Sequence, residues 1–310
     1  MIYSSPSGEK ERRMRKLTAN IYVKEESSVF PKFRGCTLGF VTTSEGIVMI
    51  DSPMLPTEAI RWRKEIAKRG EVRFIINTHH HLDHIGGNFF FSGSVIFHEE
   101  CRERYALPLT RELDSEVPGK PPKVVTLAPE GSYRLRVKEL DPEGESLLSH
   151  YRLRGPNIIF SERLRMDVGG VTFELAHIPG HTKGDVYIFL PQERVIFVGD
   201  NFTNGFQPSL AQCLPLEWIE SLKKIEKIDS GFIIPGHGKV AAKKDVRDFR
   251  SFIEICVQRV REAIQKGMSK EETADRISFL DLYPPIHPGP WQQRMNILRL
   301  YEQLTDQGKD

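Results

Sequence analysis

The chain has 310 residues, 39% hydrophobic and 28% charged, which is ordinary for a globular protein and long enough to bury a substantial core. The formal net charge of +2 is too mild to imply a nucleic-acid partner, and no run of 18 apolar residues offers a membrane span. The four cysteines, Cys36, Cys101, Cys213 and Cys256, form no C-x-x-C pair, which argues against a cysteine zinc site, dithiol chemistry or a disulfide framework.

Residues 1–16 are polar, lack the apolar stretch of a secretory signal and predict a flexible tail. With the reduced cysteines, this points to a bacterial or archaeal cytoplasm. The remainder, 17–310, predicts one domain. Residues 35–43 and 46–51 read as two strands, and 57–69 as a helix with Thr57 as N-cap and Gly70 as stop. Residues 72–77 and 94–98 are short apolar strands. The stretch 105–165 is rich in charge and proline, and reads as an insertion near the mouth of a site. Strands return at 171–178, 185–191 and 194–200. Residues 215–229 show an amphipathic helical pattern, 231–238 a strand and turn, and 242–310 a helical segment with helices at 242–266 and 290–307. Helices alternate with some strands but not with others, so a mixed sheet layered with helices is expected.

Ten histidines are present, and four of them fall at positions 79, 80, 81 and 84, beside Asp83. The pattern H-x-H-x-D-H supplies imidazole and carboxylate, ligands that suit zinc, iron or manganese. His79 and His81 can point the same way from extended backbone, while Asp83 and His84 lie past a change of direction. Gly86 and Gly87 then permit a tight turn and close approach. His181 in P-G-H-T, Asp200 in G-D and His237 in P-G-H-G each follow directly from an apolar strand. If those strands end on one side, seven ligands meet at one rim. His79, His81 and His181 then form one set, Asp83, His84 and His237 a second, and Asp200 bridges them. Such a site carries net positive charge toward an oxyanion developing on a carbonyl or phosphoryl group.

H-x-H-x-D-H followed by a lone His, a lone Asp and a lone His, in this order, resembles the metallo-β-lactamase superfamily signature over residues 35–240, with Asp51 at the family's first motif. The resemblance implies an α+β fold, an αββα sandwich of two mixed sheets between layers of helices with the metal site at one edge. It implies two divalent metal ions, zinc first, with iron or manganese as alternatives. It also implies attack by a bridging hydroxide, with Asp83 as both ligand and water-orienting catalytic group and Asp51 supporting the metal loop. THHHLDHIGGN is similar in style to glyoxalase II-like thioesterases and lactonases, although the glutathione-binding pattern and the lactonase tyrosine are not found. Hydrolysis of a thioester, lactone or other carboxylic ester of a small molecule is therefore the expected reaction. The alternatives are a mononuclear-iron persulfide dioxygenase, a β-lactamase, or a phosphodiesterase or nuclease. Neither a nucleic-acid nor a membrane partner is expected, and self-association is left open.

The other histidines carry simpler readings. His80 lies between two ligands and should point away from them. His98 ends a strand and reads as structural, His177 lies in a strand four residues before His181 and faces elsewhere, and His150 and His287 read as loop residues. Cys213 reads as an inert thiol. The substrate wall is expected from 105–165 or from 281–296, where Tyr283, His287 and Trp291 sit among prolines.

Overall fold

Alternate residues of the strand Gly46–Ile50 go to different cores: Ile47 and Met49 to one, Val48 and Ile50 to another. A strand buried on both faces has no polar alternation, which is why its sequence is a continuous apolar run.

The computed structural model describes residues 14–25, 29–30, 33–105, 109–113, 123–127, 129–284 and 290–306. In chain order the first elements are β1 (Arg15–Lys16), β2 (Ile21–Lys24), β3 (Val29–Phe30), β4 (Phe33–Arg34), β5 (Leu38–Thr43), β6 (Gly46–Ile50), α1 (Pro56–Ala67) and β7 (Val72–Ile76). Then come α2 (Leu82–Ile85), β8 (Ser94–His98), α3 (Glu99–Arg104), β9 (Leu109–Leu113), β10 (Lys123–Leu127), α4 (Pro129–Leu140), β11 (Ile158–Phe160) and β12 (Arg163–Val168). The last are β13 (Val171–His177), β14 (Val186–Leu190), β15 (Val195–Phe197), α5 (Pro215–Lys227), β16 (Phe232–Ile234), α6 (Lys243–Gln265), α7 (Lys270–Arg276) and α8 (Pro290–Asp306).

One mixed sheet has the order β1-β2-β5-β6-β7-β8-β11, parallel from β6 to β11. The other has the order β12-β13-β14-β15-β16, antiparallel except for its last pair. Val41, Val48, Ile50, Ile76 and Ile96 of the first sheet share a core with Leu175, Ile188, Val195 and Phe197 of the second. Ala59, Trp62 and Ile66 of α1 and Tyr133 and Val137 of α4 cover the outside of the first sheet. Trp218 and Leu222 of α5, Phe249, Phe252 and Val257 of α6 and Ile297 of α8 cover the second. Each such side chain contributes about 1.5–3 kcal/mol on burial. The layers are helix, sheet, sheet, helix, as the sequence motifs imply. Among the described residues no helix is long and apolar enough to cross a membrane.

Several local expectations change. Arg15 and Lys16 pair with Val23 and Tyr22, so the end of the expected tail is an edge strand, while residues 1–13 lie outside the described residues. Thr57 is not the cap of α1. Pro56 occupies the first turn, and the cap comes from a distant residue: Asp141 Oδ2 accepts the Thr57 N–H at 2.9 Å and its hydroxyl at 3.0 Å. The stretch 105–165 is only partly an insertion. β9 and β10 form a separate two-stranded ladder, but β11 extends the first sheet and β12 opens the second. α4 stands behind the histidine motif, where the Tyr133 and Tyr151 rings stack at 4.2 Å. The Tyr151 hydroxyl donates to the Gly86 carbonyl at 3.0 Å.

His98 and His177 join the ends of the two sheets, their rings stacked 3.8 Å apart. His98 Nδ1 accepts the Glu100 N–H at the start of α3, so its Nε2–H donates to the Ser161 carbonyl. That arrangement needs a neutral ring. Burial first, and the His177 ring second, push His98 down to about 4 from 6.5. The unfolded chain therefore binds more protons between these values. The stabilisation is complete above about pH 6.5 and is lost as pH falls through about 4. After discounting for solvent screening it is worth about 1–2 kcal/mol. Unfolding of the wild type and of His98→Asn, followed from pH 7.5 to pH 4, should give a stability difference that shrinks on acidification. A difference flat across that range would show that His98 titrates normally.

Candidate metal centre

Strand ends place every ligand. β6 ends at Asp51, whose φ of 55° is a left-handed conformation uncommon for a residue with a side chain. This turn aims the Asp51 carboxylate back at the next strand end. There it accepts the Thr78 N–H at 2.8 Å, the Thr78 hydroxyl at 2.8 Å and the His84 Nδ1–H at 2.8 Å. The Thr78 hydroxyl is the neighbour of His79 Nδ1 at 3.2 Å, and because it donates to Asp51, it accepts from that ring. Two imidazoles are thus oriented through one carboxylate, and both turn Nε2 inward. Asn77 adds a bond to the His84 carbonyl at 2.9 Å.

The short helix α2 begins immediately after His81 and carries Asp83 and His84. The two glycines after it act by close approach rather than by a special turn, since Gly86 has a φ of −58°. A Cβ at Gly86 would lie 2.6 Å from Tyr133, and one at Gly87 would lie 2.1 Å from the Pro53 carbonyl oxygen. The remaining three ligands come from the second sheet. His181 follows β13, with its N–H bonded to Asn201 Oδ1 at 3.0 Å. Asp200 sits in the single turn after β15. His237 follows β16, on a turn held by Thr37, whose N–H donates to the Gly236 carbonyl at 2.6 Å and whose hydroxyl donates to the Gly238 carbonyl at 2.9 Å. A Cβ at Gly236 would meet Asp200 Oδ1 at 1.9 Å, so only glycine lets this turn close on the carboxylate.

The seven side chains form two groups of donor atoms, each within 4.8 Å: His79, His81, His181 and Asp200, and Asp83, His84, His237 and Asp200. Asp200 belongs to both. Its Oδ1 lies 3.2 Å from His84 Nε2 and 3.5 Å from His237 Nε2, while its Oδ2 lies 3.5 Å from His181 Nε2 and 3.9 Å from His79 Nε2. Asp83 Oδ2 lies 3.1 Å from His237 Nε2. His80 turns aside; its ring is perpendicular to that of His79, with centroids 6.4 Å apart.

The electrostatics are those of a cation site. Burial, first of all, holds His79, His81 and His181 neutral, with His181 at about 3, so their lone pairs stay free. In the other group burial opposes charge, but Asp200 and Asp83 outweigh it, keeping His84 well above its ordinary value and His237 at about 9. Asp200 and Asp83 are themselves held low, against their burial, by His84 and His237. His79 Nε2, His84 Nε2 and Asp200 Oδ1 are buried without hydrogen-bond partners, and His81 Nδ1 faces His181 Nε2 at 3.0 Å. Two ring nitrogens so close share a proton or hold a cation between them. Divalent cations fit this donor set.

The sequence patterns did not single out Thr37, Asn77, Thr78 or Asn201, which orient the ligands. Their signal is weak, because a polar residue beside a ligand is also an ordinary turn residue. Cys213 is buried, with its thiol pushed up to about 12 by that burial, and is inert. Tyr283 packs against Phe252 in the outer helical layer, with ring centroids 5.2 Å apart. His287 and the Trp291 side chain lie outside the described residues.

Among curated proteins, the chain is 32% identical over 132 residues to the Beta-lactamase-like protein 2 homolog of Caenorhabditis elegans, covering 42% of each. It is 25% identical over 176 residues to the Acyl-coenzyme A thioesterase MBLAC2 of Bos taurus, covering 52% of this chain and 54% of that one. The chain thus spans about half the length of these relatives. In three dimensions it is similar to the sec-alkylsulfatase Pisa1 from Pseudomonas sp. (TM-score 0.63, 15% identity), covering 94% of this chain and 50% of that one, a likeness of fold. Residues 31–237, which contain all seven candidate ligands, match the metallo-beta-lactamase superfamily. The chain belongs to the metallo-beta-lactamase superfamily.

Proposed function

We propose that this chain is a hydrolase that holds two divalent cations, zinc foremost, and cleaves an ester-type bond in a small molecule: a thioester, a lactone or another carboxylic ester. The observation that carries this reading is the single carboxylate of Asp200 spanning two complete donor groups. His79, His81 and His181 would hold one cation, and Asp83, His84 and His237 the other. When bound, such cations acidify water and polarise an acyl oxygen. The rest falls to the protein. Asp51 and Thr78 lock the tautomers of His84 and His79. Asp83 is the most exposed of the acidic ligands, its side chain 21% accessible against 8% for Asp200, so it reaches the open side of the site. Its ionised carboxylate orients the attacking water and takes one proton. Water oxygen bonds to the acyl carbon, the C–O or C–S bond breaks, and that proton leaves on the alkoxide or thiolate. Ester and water become acid and alcohol or thiol.

The thioesterase name of the bovine relative supports the ester reading. The complete second donor group speaks against a dioxygenase with one iron held by histidines of the first group alone. Metal analysis of the untagged protein, followed by turnover of thioesters, lactones, carboxylic esters, alkyl sulfates, β-lactams and phosphodiesters, tests the proposal. About two zinc per chain with turnover confined to thioesters, lactones or other carboxylic esters is expected. One iron per chain with oxygen uptake on a persulfide, or turnover only of a sulfate, β-lactam or phosphodiester, would overturn it.

A further inference from the structure

Beside Asp51 the chain buries two asparagines amide to amide. Asn77 and Asn88 are 1% and 0% exposed. Asn88 Nδ2 donates to Asn77 Oδ1 at 2.8 Å. Asn77 Nδ2 donates in turn to the His84 carbonyl at 2.9 Å and reaches Asp51 Oδ1 at 3.5 Å. At the other end, Asn88 Nδ2 also lies 3.4 Å from the Arg154 carbonyl. That carbonyl belongs to a residue tied down by its own side chain, whose guanidinium donates to the Phe91 carbonyl at 2.6 Å and to the Gly93 carbonyl.

The direction of this relay is fixed at both ends. A carbonyl oxygen only accepts, so the His84 and Arg154 carbonyls each require an N–H, as does an ionised carboxylate. Asn77 must therefore turn its NH₂ to His84 and Asp51, which leaves its oxygen for Asn88. Asn88 must turn its NH₂ to Asn77 and Arg154, and its own oxygen is then buried without a donor. An enclosed oxygen of this kind costs about 1–3 kcal/mol, a cost that an apolar side chain of similar shape would not carry. The His84 carbonyl already accepts the Ser52 N–H at 2.8 Å and the Ser52 hydroxyl at 3.2 Å. Asn77 thus matters by its orientation more than by one added bond. Flipped end for end, its amide would press an oxygen against the His84 carbonyl and against Asp51, the carboxylate that holds the His84 ring at 2.8 Å.

We propose that Asn88 is a positioning residue for His84: by donating to Asn77 Oδ1 it locks the Asn77 amide with its NH₂ toward Asp51 and the His84 backbone, and so fixes the ring and the backbone of this ligand through an intervening amide. Ligands held by such outer hydrogen bonds lose metal affinity when the outer partner is removed. This inference rests on the cation-binding part of the proposed function and is independent of the bond cleaved.

The test is a double-mutant cycle on the full chain with two readings. One is zinc titration against a competing chelator; the other is the His84 Nδ1–H proton resonance of the zinc-free protein, assigned by its loss in His84→Ala. Asn88→Leu, close in shape and without a donor, should weaken the zinc held by Asp83, His84 and His237 about 10-fold and move the His84 resonance. Asn77→Ala should act in the same direction. Adding Asn88→Leu to Asn77→Ala should change neither reading further, since a residue that acts through another has no effect once that one is gone. Asn88→Ala serves in the same cycle should the leucine variant fail to fold. Additive losses in the double variant would make Asn88 a packing residue and overturn the proposal. So would an unmoved His84 resonance in the Asn88 variant. The resonance judges the relay even in a chain that takes up no zinc, an outcome that would count against the proposed function alone.

Discussion

Asp200→Asn is expected to lower bound zinc from about two per chain to less than one, and to reduce turnover on the order of 10³-fold or more, since the cations supply several kcal/mol of transition-state stabilisation. The expectation follows from geometry. Asp200 Oδ1 faces His84 and His237, and Oδ2 faces His181 and His79, and among the described residues no other side chain spans both groups. An amide offers one weakly basic oxygen and an NH₂ whose hydrogens point where a lone pair is required. The substitution also removes negative charge that helps keep His84 and His237 above their ordinary values. Zinc content by mass spectrometry of the metal-loaded protein, with turnover on the best substrate of the panel, checks it. Two retained ions and undiminished turnover would remove Asp200 from the bridging position.

Asp83→Asn is expected to separate chemistry from assembly. Asp83 contributes to one donor group only, through Oδ2 at 3.1 Å from His237 Nε2, and its neighbours His84 and His237 keep the other contacts to Asp200. The variant should therefore retain most of its zinc and bind substrate with little change in KM. Its kcat should fall about 10²–10⁴-fold, the range for losing a proton-transferring group. Steady-state kinetics alongside zinc analysis separates the two effects. A raised KM with unchanged kcat would make Asp83 a binding residue and leave the proton step unassigned.

The candidate ligand set and the layer order are legible in the sequence, because both are written in local pattern. Residues 74–76, 195–198 and 232–234 are apolar runs too short for helices, and 171–175 alternates Val, Phe and Leu with polar residues, so all read as strands packed into a layered core. Each is followed within a few residues by His79, His181, Asp200 or His237, and a side chain just past a buried strand end has only the rim to occupy. Those seven residues meet in the folded chain as the pattern implied. Features made by residues far apart in sequence appear only on folding. Asp141 caps α1 across 84 residues, and Tyr151 props Gly86 across 65. Asn296 accepts the Leu210 N–H across 86 residues. β1 is an edge strand of two residues whose polar side chains carry no period at all. The choice of Nδ1 on His81 and Nε2 on the other ligating rings is likewise invisible in a string of identical letters. For His79 and His84 it is set by Thr78 and Asp51, and contacts made only on folding leave no periodicity for a one-dimensional reading to detect.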